Sequence, residues 1–331
     1  MELQVIKGNY FRTLAEGNRI RRIPILSPRG LVLARGGEIL LGNSEVKKRI
    51  HFDPESGFEK LDDIRGAPEG EIITESVRNY PLGASFAHVS GYLGEIDQNE
   101  VDKINPKCPT KGPRKQGSLT GRAGLEEEYE CQLLGVDGEE LVEVDTSGQK
   151  VRTLGRRDPV PGEDVRTSIH YELQKKVAQS LEGKKGAVVV TDATGEVLAL
   201  FSAPSFDPNL FIGKQNSEAI TNILNDSNLP LFNRAIGGVY HPGSTFKPLV
   251  ALAALSAGAI DENFTFDDPG VIRINIYSYS NWYYSQYGRV EGNINLVRAL
   301  ARSTDTFFYK VGEITGVEEI VAWSQKLGLD K

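Results

Sequence analysis

Tyr240-His241-Pro242-Gly243-Ser244-Thr245-Phe246-Lys247-Pro248, followed by Leu249-Val250-Ala251-Leu252-Ala253-Ala254-Leu255, joins a chain-breaking Pro-Gly pair to an Ala/Leu/Val run with a serine at the junction. Pro242-Gly243 stops whatever precedes it, and the apolar run predicts a buried helix over residues 244–257 with Ser244 in its first turn. A hydroxyl there lies at the positive end of the helix dipole, where free backbone N–H groups can stabilise an oxyanion. Lys247 follows one turn later on the same face, within reach of the hydroxyl proton, and desolvation against an apolar helix suits a lysine to work as a base. The bare spacing is not specific: Ser44-Glu45-Val46-Lys47 has it too, in a polar stretch with no apolar run behind it, which reads as solvated surface. Context separates the two. On the residues alone, Ser244 reads equally as a nucleophile and as an N-cap beside an exposed lysine.

Further on, Ser303-Thr304-Asp305-Thr306-Phe307-Phe308-Tyr309 places a second serine and an acidic residue at the head of another apolar stretch. By itself this reads as a helix cap. Helices are also predicted near 170–182, 217–224, 293–300, 304–313 and 317–327, and a hairpin at Ala187–Thr191 and Val197–Phe201 around Asp192-Ala193-Thr194-Gly195. Before residue 165 the pattern is different. Short apolar patches such as Ile23-Pro24-Ile25, Gly30-Leu31-Val32-Leu33, Glu38-Ile39-Leu40-Leu41 and Leu141-Val142-Glu143-Val144 alternate with turn formers and read as strands, and Pro106–Gly124 reads as a loop.

Composition narrows the classes. A length of 331 residues with 39% hydrophobic and 25% charged residues is globular and predicts about two domains. A net charge of −7 excludes a general nucleic-acid binder, which needs a basic surplus. The longest apolar run, Pro248–Ile260, is too short to span a bilayer, and Met1 leads into a polar stretch with no signal-peptide pattern. The two cysteines, Cys108 and Cys131, lack metal-ligand spacing and read as unrelated thiols or one disulfide. His51, His88, His170 and His241 are scattered and read as turn or surface residues.

The segment Tyr240–Pro248 resembles the active-serine segment of the penicillin-binding transpeptidases, and other blocks fall in the order of that family's class B branch. These are Asn18-Arg19-Ile20-Arg21 with Ser27-Pro28-Arg29-Gly30; Tyr80-Pro81 with Ala87-His88-Val89 and Gly91-Tyr92-Leu93-Gly94; Gly124-Leu125-Glu126 with Tyr129-Glu130; Leu173-Gln174; and Ser202–Asn209. The Ser303-Thr304-Asp305 variant of the second motif resembles the elongation, or penicillin-binding protein 2, type. The resemblance implies an α+β architecture: a strand-rich, extended pedestal over residues 1–165, then over 166–331 the N-terminal part of a transpeptidase domain with helices on an antiparallel sheet. It implies catalytic roles for Ser244 as nucleophile, Lys247 as base, Ser303 as proton carrier to the leaving amine and Asp305 as a holder of Lys247 or substrate. The implied substrates are peptidoglycan stem peptides ending in D-alanyl-D-alanine, the implied inhibitors β-lactam antibiotics, and the implied partners a SEDS-type glycosyltransferase and elongation-complex proteins.

Two departures from the family accompany this. Its third motif, Lys-Thr/Ser-Gly, does not occur, so the expectation is a truncated chain, weakly active or inactive alone, without the N-terminal membrane helix that would anchor it on the outer face of the cell membrane. Zinc in some relatives is held by Asp, Asp, His and Cys; here Asp268, Asn281, Tyr287 and Leu300 stand at those places, so neither metal nor other cofactor is expected. The aromatic stretch Tyr277–Tyr287 reads as a loop packed beside the cleft in preference to a carbohydrate platform. The other functional classes are a serine β-lactamase or β-lactam sensor, disfavoured by the long N-terminal region, and a non-catalytic cell-wall scaffold.

Overall fold

The computed structural model describes residues 18–53, 58–63, 71–114, 117–146, 149–212 and 216–329. The leading residues, on which the signal-peptide reading rests, lie outside this set. The chain divides into two compact units, Met1–Gly238 and Val239–Lys331.

The first unit begins with strands β1 (Arg19–Ile25), β2 (Val32–Leu33), β3 (Ile39–Asp53), β4 (Phe58–Asp63) and β5 (Glu71–Asn79). Short helix α1 (Ala87–Ser90), strands β6 (Leu93–Glu95) and β7 (Leu119–Gly121), and helices α2 (Gly124–Glu128) and α3 (Glu130–Leu133) follow, then β8 (Gly138–Val144), β9 (Lys150–Arg157) and β10 (Val165–Arg166). β3 is the hub, antiparallel to β2, β4 and β5, and β8 lies between β1 and β9. In β3, Ser44 and Lys47 are three residues apart on a strand of period two, so they point to opposite faces, and both are exposed. That disposes of the second Ser-x-x-Lys as chemistry.

The core beneath these sheets is Val32, Leu40, Leu41, Tyr80, Phe86 and Leu133 with their neighbours. A buried ionic cluster sits against it. Arg29 donates to Glu126 at 3.0 Å and Glu130 at 2.6 Å, and Arg78 donates to Glu126 at 2.6 Å and to the Gly30 carbonyl at 2.7 Å. Two guanidinium groups face two carboxyl groups, which offsets the cost of burying Glu126 with no exposed surface. Burial and the Glu126 charge together push the Tyr80 phenol well above its usual range. Gly91 and Gly124 are obligatory here: both have positive φ, 69° and 59°, and a Cβ on Gly91 would lie 1.6 Å from the Ala123 carbonyl oxygen.

The rest of the unit is helix α4 (Tyr171–Ser180), the hairpin β11 (Gly186–Thr191) and β12 (Val197–Ala203), and helices α5 (Ser217–Asn225) and α6 (Arg234–Gly237). Fully buried Gln174 on α4 exchanges hydrogen bonds with both backbone groups of Leu200 and donates to Ser85 O, so its amide is satisfied while joining helix to hairpin.

The second unit starts with a 3-10 turn, Gly243–Phe246, that runs into α7 (Lys247–Ser256). Then come β13 (Thr265–Asp268), β14 (Val271–Ile274), β15 (Tyr277–Ser280), α8 (Trp282–Tyr287), β16 (Gly292–Asn295), α9 (Leu296–Arg302), α10 (Asp305–Thr315) and α11 (Val317–Lys326). β13 pairs with β16, and β14 with β15. Val250, Ala251 and Ala254 of α7 pack on Leu296, Ala299, Phe307, Phe308 and Val311, so α7 and α10 meet across one dry core.

Four expectations need correcting. Ser244 lies in the 3-10 turn ahead of α7 and not in the first α-helical turn. The helix expected over 293–300 begins at Leu296, because Asn293–Asn295 pair with β13 and the Asn295 side chain caps α9 through Arg298 N. The stretch 106–124 is more than a loop: it holds a 3-10 turn at Pro109–Lys111, strand β7 and a Cys108–Cys131 disulfide. Of the histidines, His88 is half-buried on α1 with Nε2 2.8 Å from Pro230 O, and His170 caps α4 by accepting from Leu173 N. His241 is exposed, and the His51 side chain lies outside the described residues.

Candidate active site

The turn Gly243–Phe246 owes its form to Gly243 at φ 56°, which opens the turn, and to Pro248, which sits without cost in the first turn of α7. Ser244 is exposed at the head of this helix, and Lys247 is 9% exposed at its first residue. The opposing wall comes from the α9–α10 junction. Ser303 ends α9 in the left-handed conformation, φ 54° and ψ 45°, and Asp305 is the first residue of α10, where the helix dipole favours its negative charge.

The structure brings all four sequence-selected residues together around the Lys247 ammonium nitrogen. Nζ lies 2.6 Å from Asp305 Oδ1, 2.7 Å from the Ser303 carbonyl, 2.9 Å from Ser303 Oγ and 3.3 Å from Ser244 Oγ. Ser303 Oγ donates to Ser244 Oγ at 2.8 Å. Two of these partners, the carboxylate and the carbonyl, can only accept, so they take two N–H bonds of the lysine. The third direction faces two hydroxyls, which accept a proton from an ammonium or give one to an amine. A lysine so held can exchange a proton with either serine without moving its two fixed bonds. From Ser244 to Nζ there are two routes: one hop of 3.3 Å, or two shorter hops through Ser303 Oγ.

Asp268 is 2% exposed, and its carboxylate is fully engaged. Oδ1 accepts from Gly270 N at 3.0 Å and Thr306 Oγ1 at 2.5 Å, and Oδ2 accepts from Asn281 Nδ2 at 2.8 Å and Glu291 N at 3.1 Å. The group facing Asp268 is an amide NH2, a donor that cannot ligate a cation, while Tyr287 and Leu300 are not ligands of the expected kind. These residues do not fit a zinc ion. Among the described residues no cluster of three or more His, Cys, Asp or Glu could hold a metal.

Sequence reasoning did not reach the Ser303 carbonyl as a lysine partner or the Asp268–Asn281–Thr306 cluster. A left-handed serine leaves no composition signal. Asn281 had one, since an Asn before an aromatic helix reads as an N-cap, and its Oδ1 does accept from Tyr284 N.

Comparison with known proteins agrees with this architecture. Residues 55–167 match the penicillin-binding protein dimerisation domain and residues 186–331 the penicillin binding protein transpeptidase domain. The chain belongs to the penicillin-binding proteins, with a dimerisation domain preceding a transpeptidase domain. It is similar to the peptidoglycan D,D-transpeptidase MrdA of Escherichia coli strain K12, 33% identical over 377 residues that cover 98% of this chain and 59% of that protein. Among solved structures it resembles Pseudomonas aeruginosa PBP2 in complex with WCK 5153, at 32% identity and a TM-score of 0.67, covering 93% of this chain and 57% of that one. It also resembles a chain from a structure titled for coordination of polymerization and crosslinking by a peptidoglycan synthase complex, at 27% identity and a TM-score of 0.71, over 98% of this chain and 63% of that one. The chain thus spans a little over half the length of the curated relatives it matches.

Proposed function

We propose that the protein is a peptidoglycan D,D-transpeptidase of cell-wall elongation, working through an acyl-enzyme on Ser244. The observation that carries the reading is the Lys247 nitrogen held between a serine hydroxyl at each side and two fixed acceptors. In the first step Ser244 Oγ bonds to the carbonyl carbon of the penultimate D-alanine as its proton passes to Lys247, directly or through Ser303. The C–N bond to the terminal D-alanine then breaks, and the proton returns through Ser303 to the departing amine. In the second step an amine of a neighbouring stem peptide attacks the ester carbon, gives up a proton along the same route, and releases Ser244. The Ser244 backbone N–H supplies one oxyanion donor. Asp305 keeps Lys247 facing the serines by a charge-assisted bond.

The similarity to MrdA and to a chain of a peptidoglycan synthase complex supports the substrate class and a SEDS-type glycosyltransferase partner. The Cys108–Cys131 disulfide is consistent with an oxidising, extracytoplasmic site of action on the membrane; no helix among the described residues is long and apolar enough to cross a membrane. A functional division at 1–165 and 166–331 is part of this reading; the matched dimerisation domain ends at 167 and the matched transpeptidase domain starts at 186.

Labelled penicillin tests the reading. For this chain alone the expected result is a slowly forming adduct that maps to Ser244 and disappears in Ser244→Ala. Rapid release of hydrolysed drug would point instead to a β-lactamase, and labelling that survives Ser244→Ala would overturn the assignment.

A further inference from the structure

The segment 268–291 contributes no atom to the proton-transfer cluster, yet it grips the chain on both sides of it. On the near side, Trp282 Nε1 donates to the Arg302 carbonyl at 2.7 Å, one residue before Ser303. The Arg302 guanidinium lies over the rings of Trp282 and Tyr283, 4.6 and 5.0 Å from their centroids, and donates to Glu291 at 2.8 Å. On the far side, Thr306, one residue after Asp305, donates to Asp268 at 2.5 Å and accepts from Asn281 at 3.0 Å. Thr306, Asn281 and Asp268 are all within 2% of complete burial.

Between these two grips Ser303 occupies a left-handed conformation that is disfavoured for a non-glycine residue. Such a conformation persists only where the surroundings over-determine it, and it is what aims both the Ser303 carbonyl and Oγ at Lys247. A second oddity points the same way. Asp268 buries a carboxylate among neutral donors, an arrangement dearer than an apolar contact unless its directionality is used. Here the directions run to two backbone amides, to the cap residue of α8 and to the first turn of α10.

We infer that the segment 268–291 is a brace for the second motif, with Asp268, Asn281, Trp282 and Glu291 as positioning residues that hold Ser303 left-handed and set Asp305 against Lys247. The aromatic stretch then serves the catalytic junction from behind. The consequence for catalysis rests on the proposed transpeptidase chemistry; the consequence for the junction does not.

The test uses the full chain and four variants: Asp268→Asn, Trp282→Phe, Thr306→Val and Thr306→Ser. Two quantities are read. One is amide hydrogen exchange at Ser303 and Thr304, whose N–H groups bond to Leu300 O and Ala299 O. The other is penicillin acylation of Ser244, resolved into drug affinity and the first-order acylation step. Asp268→Asn, Trp282→Phe and Thr306→Val should speed exchange and slow the acylation step by about tenfold or more, with affinity little changed, since small misplacements of reacting groups cost up to about a hundredfold. Thr306→Ser keeps the hydroxyl and should restore both readouts. Should Asp268→Asn fail to fold, Trp282→Phe, which removes the N–H donor and keeps an aromatic ring, carries the near side and the Thr306 pair the far side. Unchanged exchange and acylation in Trp282→Phe and Thr306→Val, or a Thr306→Ser variant as impaired as Thr306→Val, overturns the brace. If the label survives Ser244→Ala, the transpeptidase reading falls while the exchange measurement still decides the brace.

Discussion

Lys247 is the residue on which the site converges, and its environment assigns different costs to losing each neighbour. Replacing it by methionine keeps the packing of its stem but removes the proposed proton acceptor, so acylation should fall by roughly 100- to 10,000-fold, as measured by the rate of penicillin labelling. Asp305→Asn preserves an acceptor oxygen at the same place and removes only the charge. A loss of roughly tenfold is expected, smaller than for the lysine, because the Ser303 carbonyl still fixes one N–H. At this scale the sequence was legible where spacing alone decides: Ser244 and Lys247 lie within a single turn, so their meeting is local. The pairing of Lys247 with Ser303 and Asp305 spans more than fifty residues, and it became readable through the family resemblance, not through any physical pattern in the chain.

Among the elements, α7 and α10 carry the site and share a core. Phe307 has no exposed surface and packs in the cluster with Val250, Ala254 and Leu296, so Phe307→Ala should cost about 3–5 kcal/mol of stability by denaturant unfolding. In the first unit α1 carries a titratable group. Burial holds the His88 imidazole below its ordinary value of 6.5, against the opposing pull of the Pro230 carbonyl. The folded form therefore prefers neutral His88. Its contribution to stability is complete above about pH 6.5 and is lost as pH falls through the depressed value. His88→Gln, which keeps a donor for Pro230, should flatten the decline in melting temperature between about pH 7 and 5. Element boundaries were readable wherever burial imposes a period, as in α4, α10 and the β11–β12 hairpin. They were unreadable where it does not. β9, Lys-Val-Arg-Thr-Leu-Gly-Arg-Arg, is exposed along most of its length and shows no alternation, and its pairing with β8 passes through two register shifts.

Across the whole molecule, sequence blocks that look unrelated turn out to be halves of the same contact. Arg29, from Ser27-Pro28-Arg29-Gly30, reaches Glu126 and Glu130 from two blocks roughly a hundred residues on, and the Tyr80 backbone exchanges two hydrogen bonds with the Asn209 amide. None of these blocks can satisfy its polar groups alone. Glu126→Gln leaves Arg29 and Arg78 short of a buried counter-charge and should destabilise the first unit by about 3–5 kcal/mol, seen as an earlier unfolding transition. The Cys108–Cys131 bridge closes a stretch of chain 23 residues long and contributes on the order of 3 kcal/mol by restricting the unfolded ensemble. The same polypeptide is therefore two different folding problems according to where it is made to fold: in a thiol-reducing compartment its Pro- and Gly-rich stretch must order without that tether, so the redox state of the surroundings enters the folding code beside the sequence.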